Sequence, residues 1–199
     1  MSKRQYAMVI DLNKCIGCHA CTVVCKHENM VPRGVHRSWV TEYEAGKYPN
    51  VRSLKLPRLC NHCEEAPCLK VCPTGATYRT IDGTVQIDAG KCVGCRYCLA
   101  ACPYDARFID PVQKVAAKCT FCYHRVEAGI MPACVSTCVG QARYFGDIND
   151  PNSDVSRMLK SRSHQTLKAE LGTKPCVYYH GLDGIQLDPA KLRIAKGGR

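Results

Sequence analysis

The sequence predicts an α+β protein built from two small lobes that are related by an internal duplication. Sixteen of its 17 cysteines fall into four groups of four, and short β-prone runs lie between the groups. The first and third groups share one spacing, while the second and fourth resemble each other apart from a longer insert, as expected of repeated units. The sixteen residues are Cys15, Cys18, Cys21, Cys25, Cys60, Cys63, Cys68, Cys72, Cys92, Cys95, Cys98, Cys102, Cys119, Cys122, Cys134 and Cys138.

The spacing within the first and third groups is C-x2-C-x2-C-x3-C. In this pattern three close thiolates bind one [4Fe-4S] core, and the fourth thiolate ligates a neighbouring cluster. Pro73 and Pro103 follow the last cysteines of the second and third groups, which is the C-P ending typical of bacterial two-cluster ferredoxins. Sixteen thiolates at four per cluster predict four [4Fe-4S] clusters as cofactors.

Two other uses of clustered cysteines fit the spacing less well. Structural zinc also takes four thiolates, but its C-x2-C pairs are separated by a longer loop, whereas here a third cysteine follows after two residues. Disulfide bonds between such near neighbours would be strained. Cys176 is the unpaired seventeenth cysteine, and we expect it to be a bystander thiol.

Repeated segments support the duplication. Lys14 and the four cysteines of the first group recur at one constant offset as Lys91 and the third group. Residues 72–78 likewise align with residues 138–144, which relates the second group to the fourth. Two copies of one two-cluster unit are the simplest explanation of these matches.

The connection between the second and third groups indicates how the groups pair. Residues 77–81 and 84–87 are β-prone runs joined by Asp82 and Gly83, a strong hairpin signal. This hairpin joins groups two and three into one lobe, so groups one and four must close over it as the other. The expected division is an outer lobe of residues 1–30 and 112–148, an inserted loop of 31–57, an inner lobe of 58–111, and a C-terminal extension of 149–199 with a helix at 155–171 and a basic tail.

Each lobe is then expected to exchange the fourth cysteines of its two groups. The predicted ligand sets are Cys15, Cys18, Cys21 and Cys138 for site one; Cys25, Cys119, Cys122 and Cys134 for site two; Cys60, Cys63, Cys68 and Cys102 for site three; and Cys72, Cys92, Cys95 and Cys98 for site four. Short helices are expected after the third cysteine of each group, for example at 22–24 and 99–101.

The formal net charge of +11 counts every cysteine as neutral. An oxidised [4Fe-4S] core bound by four thiolates has a net charge of about −2, so four sites leave the loaded chain at about +3. Aromatic residues are few and are not interleaved with the basic ones, so we expect no nucleic-acid partner. A zinc-stabilised nucleic-acid-binding module remains an alternative of another class, because it fits the raw charge although not the cysteine repeat.

The sequence contains no catalytic constellation, since its histidines and carboxylates form no triad or acid-base pair. We therefore expect the isolated chain not to be an enzyme. No hydrophobic run is long enough to span a bilayer, and the start of the sequence has no signal h-region. Membrane contact is expected only through a partner.

Several charged and histidine residues lie next to the cysteine groups. His62 and His124 are expected to pack or to form hydrogen bonds, because sixteen cysteines already complete four clusters. Lys14, Lys91 and Arg96 either raise nearby reduction potentials or act as solvated counter-charges, and the sequence leaves both roles open.

The order of the four groups resembles the iron-sulfur subunit of membrane-bound molybdopterin oxidoreductases, the family that serves dimethyl sulfoxide, polysulfide, thiosulfate and tetrathionate reductases. The resemblance depends on the C-x2-C-x4-C-x3-C spacing of group two and the C-x2-C-x11-C-x3-C spacing of group four, and it covers residues 5–148. Nitrate reductase relatives carry tryptophan at the second cysteine position of group three. Here that position is Cys95, so four four-iron clusters are expected.

The resemblance implies an electron-transfer role between a molybdopterin catalytic subunit and an integral membrane subunit that handles quinol. It places site one toward the molybdenum subunit and site four toward the membrane. The equivalent subunit of a formate dehydrogenase or hydrogenase is an alternative of the same kind. The protein is expected to be peripheral to the membrane, on the periplasmic face by co-export or on the cytoplasmic face.

Overall fold

The computed structural model describes residues 4–182 and 193–194, and its composition is mixed α/β. Its strands are β1 (Tyr6–Asp11), β2 (Ser38–Lys47), β3 (Asn50–Leu59), β4 (Thr77–Arg79), β5 (Val85–Ile87), β6 (Arg107–Ile109), β7 (Ala116–Lys118), β8 (Arg143–Asp147), β9 (Val177–His180) and β10 (Arg193–Ile194). Its helices are α1 (Ala20–Glu28), α2 (Pro67–Lys70), α3 (Tyr97–Ala100), α4 (Tyr123–Glu127), α5 (Ala133–Ser136) and α6 (Asp154–Ser161).

A three-stranded sheet in the order β8-β1-β9 forms the centre of the fold. Strand β1 runs antiparallel to β8 and parallel to β9. Both of its faces are buried: Met8 and Ile10 belong to the main core with the cysteines, while Ala7 and Val9 form a second cluster on the opposite face. A strand covered on both sides has a nearly continuous apolar sequence, as 7–10 does here.

Helix α6 covers that second face of the sheet. Ser153 caps it, because its hydroxyl accepts a hydrogen bond from the Ser156 backbone N–H at 3.1 Å. The prediction of one helix at 155–171 is wrong in its extent, since α6 ends at Ser161. Arg162 takes up an extended conformation and forms an ion pair at 3.0 Å with the fully buried Asp11, which directs the chain away from the helix axis.

Residues 38–59 form a long antiparallel hairpin of β2 and β3. The interpretation of 31–57 as a loop is therefore wrong over most of its length. Pro57 obscured the pattern, but β3 is the edge strand of its sheet, where a residue without a backbone N–H is tolerated. Leu54 and Leu56 are buried and alternate with polar residues, as in a strand with one covered face.

Two small hairpins follow cysteine groups. Strands β4 and β5 pair as predicted, and Gly83 in their turn has a φ of +81°. The strands are shorter than expected because Thr80 and Thr84 join the turn, where the Thr80 N–H donates to the Thr84 carbonyl at 2.9 Å. A second hairpin, β6 with β7, links groups three and four and was not predicted.

The predicted short helices are present. Helices α1, α2, α3 and α5 each contain the third cysteine of a group, one residue after the helix begins. No helix within residues 4–182 is long and apolar enough to cross a membrane. Most of the predicted basic tail lies outside the described residues; from 183 onward only β10 is described, and it pairs with β2.

Candidate metal centres

The first and third cysteine groups have the same backbone conformation. Gly17 and Gly94, which precede the second cysteine of each group, have φ values of +73° and +69°. His19 and Arg96, which follow that cysteine, are left-handed as well, with φ values of 59° and 69°. Two left-handed residues around one cysteine turn the chain sharply at the same position in both groups.

The second and fourth groups share a different conformation. His62 and Phe121 each precede the second cysteine of their group, and their φ values are 44° and 56°. Their rings stack on each other at a centroid distance of 3.8 Å and an interplanar angle of 15°. Fully buried His62 also bonds to the Cys119 carbonyl at 3.1 Å through Nε2, while its Nδ1 accepts from the Val85 N–H at 3.1 Å. The predicted packing role of His62 fits these contacts, which join groups two and four directly.

One cavity is lined by the four cysteines predicted for site one. Cys15, Cys18 and Cys21 come from the first group and Cys138 from the fourth. The volume of this cavity, including the solvent-filled space at its opening, is about 360 Å³. Val40 and Pro57 of the β2–β3 hairpin form part of its wall. The hairpin therefore completes this site.

Two further cavities are lined by the cysteines predicted for sites two and three. The site-two cavity has an empty space of about 280 Å³ among Cys25, Cys119, Cys122 and Cys134, all of them buried. The Asn29 amide lies 3.7 Å from both Cys25 Sγ and Cys122 Sγ, which are on different groups. The site-three cavity has about 320 Å³ among Cys60, Cys63, Cys68 and Cys102.

The cysteines predicted for site four lie nearer the surface. Cys95 is exposed, Cys72 and Cys92 are half-buried, and Cys98 is buried. Helix α2 packs against α3, which carries Cys98. Backbone N–H groups point at two of the sulfurs, from Thr77 to Cys72 Sγ and from Ala116 to Cys92 Sγ, both at 3.4 Å.

The electrostatic neighbours of the cysteines give the order of the sites. Cys134 of site two and Cys21 of site one are both electrostatic neighbours of Arg143. Cys119 of site two has Cys60 of site three as an electrostatic neighbour. Arg107 lies near Cys68 of site three and Cys98 of site four. Cysteines of sites one and two, of sites two and three, and of sites three and four are therefore neighbours.

Burial raises the pKa of the inner thiols. It raises the pKa of Cys25 to about 12, with a further contribution from Cys134 and Cys122. Burial and the thiol of Cys60 raise the pKa of Cys63 to about 12 as well. Thiolates are costly in these positions unless cations are present, so a cationic metal core held by these cysteines would displace the protons and supply the missing charge.

Three buried cations lie among these cysteines. Arg143 Nη1 is 3.6 Å from Cys134 Sγ, and Arg107 Nη2 is 2.9 Å from Cys68 Sγ. Lys118 donates to the Cys119 carbonyl at 2.7 Å. Burial opposes the charged form of Arg143, but the thiols of Cys134 and Cys21 outweigh it and raise its pKa above the ordinary value. The sequence reasoning missed these residues, although C-x4-R recurs after Cys102 and Cys138 and was visible as a signal.

The unpaired donors among the residues that line the cavities fit a group that accepts hydrogen bonds. Among the described residues that line the site-three cavity, two donors, Asn61 Nδ2 and Arg107 Nε, and one acceptor, Asn61 Oδ1, are buried without a partner. Arg37 Nε is buried without a partner in the site-two cavity. Inorganic sulfide is a hydrogen-bond acceptor, and donors of this kind adjust the reduction potential of iron-sulfur clusters. The donor set of four thiols with surrounding N–H groups therefore fits a [4Fe-4S] core.

The charged residues selected from the sequence lie at the surface. Lys91 is exposed and forms an ion pair with Asp88 at 3.7 Å, and Lys14 donates to the Tyr144 hydroxyl at 2.6 Å. His124 bonds to Glu28 at 2.8 Å, which agrees with its predicted hydrogen-bonding role. These contacts favour the counter-charge interpretation of Lys91, because an exposed and paired charge is strongly screened.

Comparison with protein families gives two overlapping matches. Residues 51–148 match a family described as a 4Fe-4S dicluster domain, and residues 14–77 match a second family of the same description. The two matches overlap at the second cysteine group and together include all four groups. Each match covers a continuous stretch of the chain and does not show which groups share a site. The cavities described above show that groups one and four lie together.

Similar proteins cover nearly the whole chain. The chain is 50% identical to a tetrathionate reductase subunit of Salmonella typhimurium over 94% of its own length and 76% of the relative. It is 45% identical to a selenate reductase subunit of Mesobacillus selenatarsenatis, over 90% of this chain and 73% of the relative. It is 44% identical to a sulfite dehydrogenase subunit of Allochromatium vinosum, over 94% and 88% respectively.

Proposed function

The chain belongs to the family of 4Fe-4S electron-transfer subunits of molybdopterin oxidoreductases, and we propose that it holds four [4Fe-4S] clusters in a row between two partner subunits. The proposed ligands are the sixteen cysteines in the crossed sets of sites one to four. When bound, such clusters supply one-electron transfer chemistry.

One observation carries the proposal. Three cavities are each lined by four cysteines, and in each case three cysteines come from one group and the fourth from another group: groups one and four at sites one and two, and groups two and three at site three. Exchange of the fourth ligand between two groups is the arrangement of two-cluster ferredoxins. The equal backbone conformations of groups one and three support the duplication into two lobes, and with it a fourth site of the same kind.

The names of the relatives indicate the chemistry of the catalytic partner. Tetrathionate, selenate and sulfite are all oxyanions of sulfur or selenium. We therefore assign the proposed complex to that substrate class, with a molybdopterin subunit as the partner that converts the substrate. Both reductases and a dehydrogenase occur among these relatives, so the direction of electron flow depends on the partners.

The two ends of the row are suited to contact the partners. Cys18 of site one and Cys95 of site four are exposed, and each has a neighbouring exposed apolar side chain, Ile16 or Val93. In the proposed complex site one faces the molybdopterin subunit and site four faces a membrane subunit that handles quinol. Contact with the membrane is then made through that partner, so the chain is peripheral.

Metal content and partner analysis together test the proposal. Anaerobically purified full-length chain should contain about 16 iron atoms and about 16 sulfide ions, and EPR of the reduced protein should show interacting clusters. A zinc content of about one per four cysteines would contradict it. Under mild detergent, a molybdenum-containing chain and a multi-span membrane chain should copurify with the protein.

A further inference from the structure

Two buried arginines have the same place in their cysteine groups. Arg107 and Arg143 each stand five residues after the last cysteine of group three or four, and each begins a strand, β6 or β8. Their side chains are among the buried charged groups, at 3% and 4% exposure. Ordinary arginines are exposed, so both require a specific anionic surrounding.

Arg143 lies between sites one and two. Its side chain lines the site-one cavity together with Cys21 and Cys138. Its Nη1 is 3.6 Å from the Sγ of Cys134, a cysteine of site two, and its Nη2 donates to the Ser38 hydroxyl at 3.3 Å. One guanidinium therefore faces cysteines of both site one and site two.

Arg107 has the corresponding position between sites three and four. It lines the site-three cavity, and its Nη2 donates to Cys68 Sγ at 2.9 Å. Its Nη1 donates to the Thr77 hydroxyl at 3.1 Å, and Cys98 of site four is among its electrostatic neighbours. Two arginines thus occupy two equivalent gaps of the row.

Neither arginine has a carboxylate partner within the part of the chain that the structure describes. The ion pairs formed within residues 4–182 involve other side chains. The neighbours that most favour the charged form of each arginine are cysteines. A buried charge without a counter-ion is strongly unfavourable. A guanidinium does not lose its proton in proteins, so its charge must be balanced by the sites on either side.

We propose that Arg107 and Arg143 set the reduction potentials of the clusters in pairs, with Arg143 acting on sites one and two and Arg107 on sites three and four. The inference rests on the proposed function, since it requires bound clusters. A fixed positive charge stabilises the more negative reduced form of a nearby cluster and so raises its potential. Because each guanidinium lies between two sites, its loss changes two potentials together.

The test is potentiometric EPR titration of the anaerobically purified full-length chain. Arg143→Gln should lower the midpoint potentials of sites one and two and leave the other two unchanged, and Arg107→Gln should do the reverse. Arg143→Lys and Arg107→Lys keep the charge and should retain midpoints close to those of the unmodified protein. Arg157→Gln is the matched control, because Arg157 is exposed and paired with Asp154.

Each outcome decides the inference. Glutamine variants that hold all four clusters with unchanged midpoints would overturn it, as would a shift of all four midpoints. If the glutamine variants lose clusters, the lysine variants decide: assembled clusters at normal potentials support the charge role, and failure to assemble overturns it. If the unmodified chain itself lacks four EPR-active clusters, the proposed function fails, which is a distinguishable result.

Discussion

Single residues in left-handed conformations shape the loops that carry the cysteines. Gly94 has a φ of +69°, and a Cβ built on it would lie 2.6 Å from the backbone carbonyl oxygen of Lys114. A backbone atom cannot move aside as a flexible side chain can, so this position requires glycine for both conformation and space. The loop that holds Cys92, Cys95 and Cys98 thus depends on a residue that binds nothing.

Gly94→Ala is expected to destabilise the chain and to reduce iron at site four. The left-handed conformation alone costs a residue with a side chain about 1–2 kcal/mol, and the contact with the Lys114 carbonyl adds to it. The measurement is the unfolding free energy of the loaded chain together with its iron content. Gly129→Ala is the matched control, because Gly129 has a φ of +73° but no atom within 4 Å of the added Cβ. Equal losses in the two variants would contradict the close-contact explanation.

At the scale of elements, the β2–β3 hairpin has a buried base and an exposed tip. Trp39 and Val40 at the base are 7% and 3% exposed, whereas Tyr48 at the tip is 92% exposed. Arg58 lies over the Trp39 ring at 5.2 Å and donates to the Tyr104 carbonyl at 2.9 Å. Through Val40 the base also closes the site-one cavity, so the hairpin contributes to the metal centre as well as to the surface.

Val40→Ala should therefore affect site one selectively. Removal of two buried methyl groups from the cavity wall costs about 2 kcal/mol and admits water to the site-one cavity. The expected result is faster loss of one cluster on exposure to air, measured by the decay of its EPR signal, while the other three persist. Tyr48→Ala at the tip is the control and should leave all four signals unchanged. Equal decay of every cluster in Val40→Ala would show a general loss of stability instead.

The sequence was sufficient for some elements and not for others. The β4–β5 hairpin was predictable because Asp82 and Gly83 are a specific turn signal, and the helices around the third cysteines followed from the group spacing. The β2–β3 hairpin was missed because Pro57 interrupts the alternating pattern of β3, and edge-strand status is a tertiary property. Arg107 and Arg143 were missed because arginine is expected at the surface, and only the folded chain shows which anions surround it.

At the scale of the whole molecule, the proposed ligand sets connect distant parts of the chain. Site one joins residues 15–21 to Cys138, and site two joins Cys25 to residues 119–134. The ring of His62 in the second group stacks on the ring of Phe121 in the fourth group, so these two groups are in direct contact. Sequence neighbours within one group therefore serve different sites.

Cys25→Ser tests this crossing. It should alter or remove the EPR signal of site two and leave site one intact, although Cys25 stands next in sequence to the site-one cysteines. The measurement is the EPR spectrum with iron content, compared with Cys138→Ser, which should affect site one. Cys176→Ser is the control: Cys176 is buried with Ala7, Val9 and Val155 and should leave all four clusters intact. Loss of site one in Cys25→Ser would mean that each group binds its own cluster.

The crossed arrangement has a consequence for biosynthesis. In the proposed ligand sets, sites three and four have all their cysteines once Cys102 has been translated, whereas site two requires Cys134 and site one requires Cys138. The first three cysteines to be translated thus belong to the last centre that can be completed. With the proposed ligand sets, site one therefore cannot be completed before residue 138 has been translated.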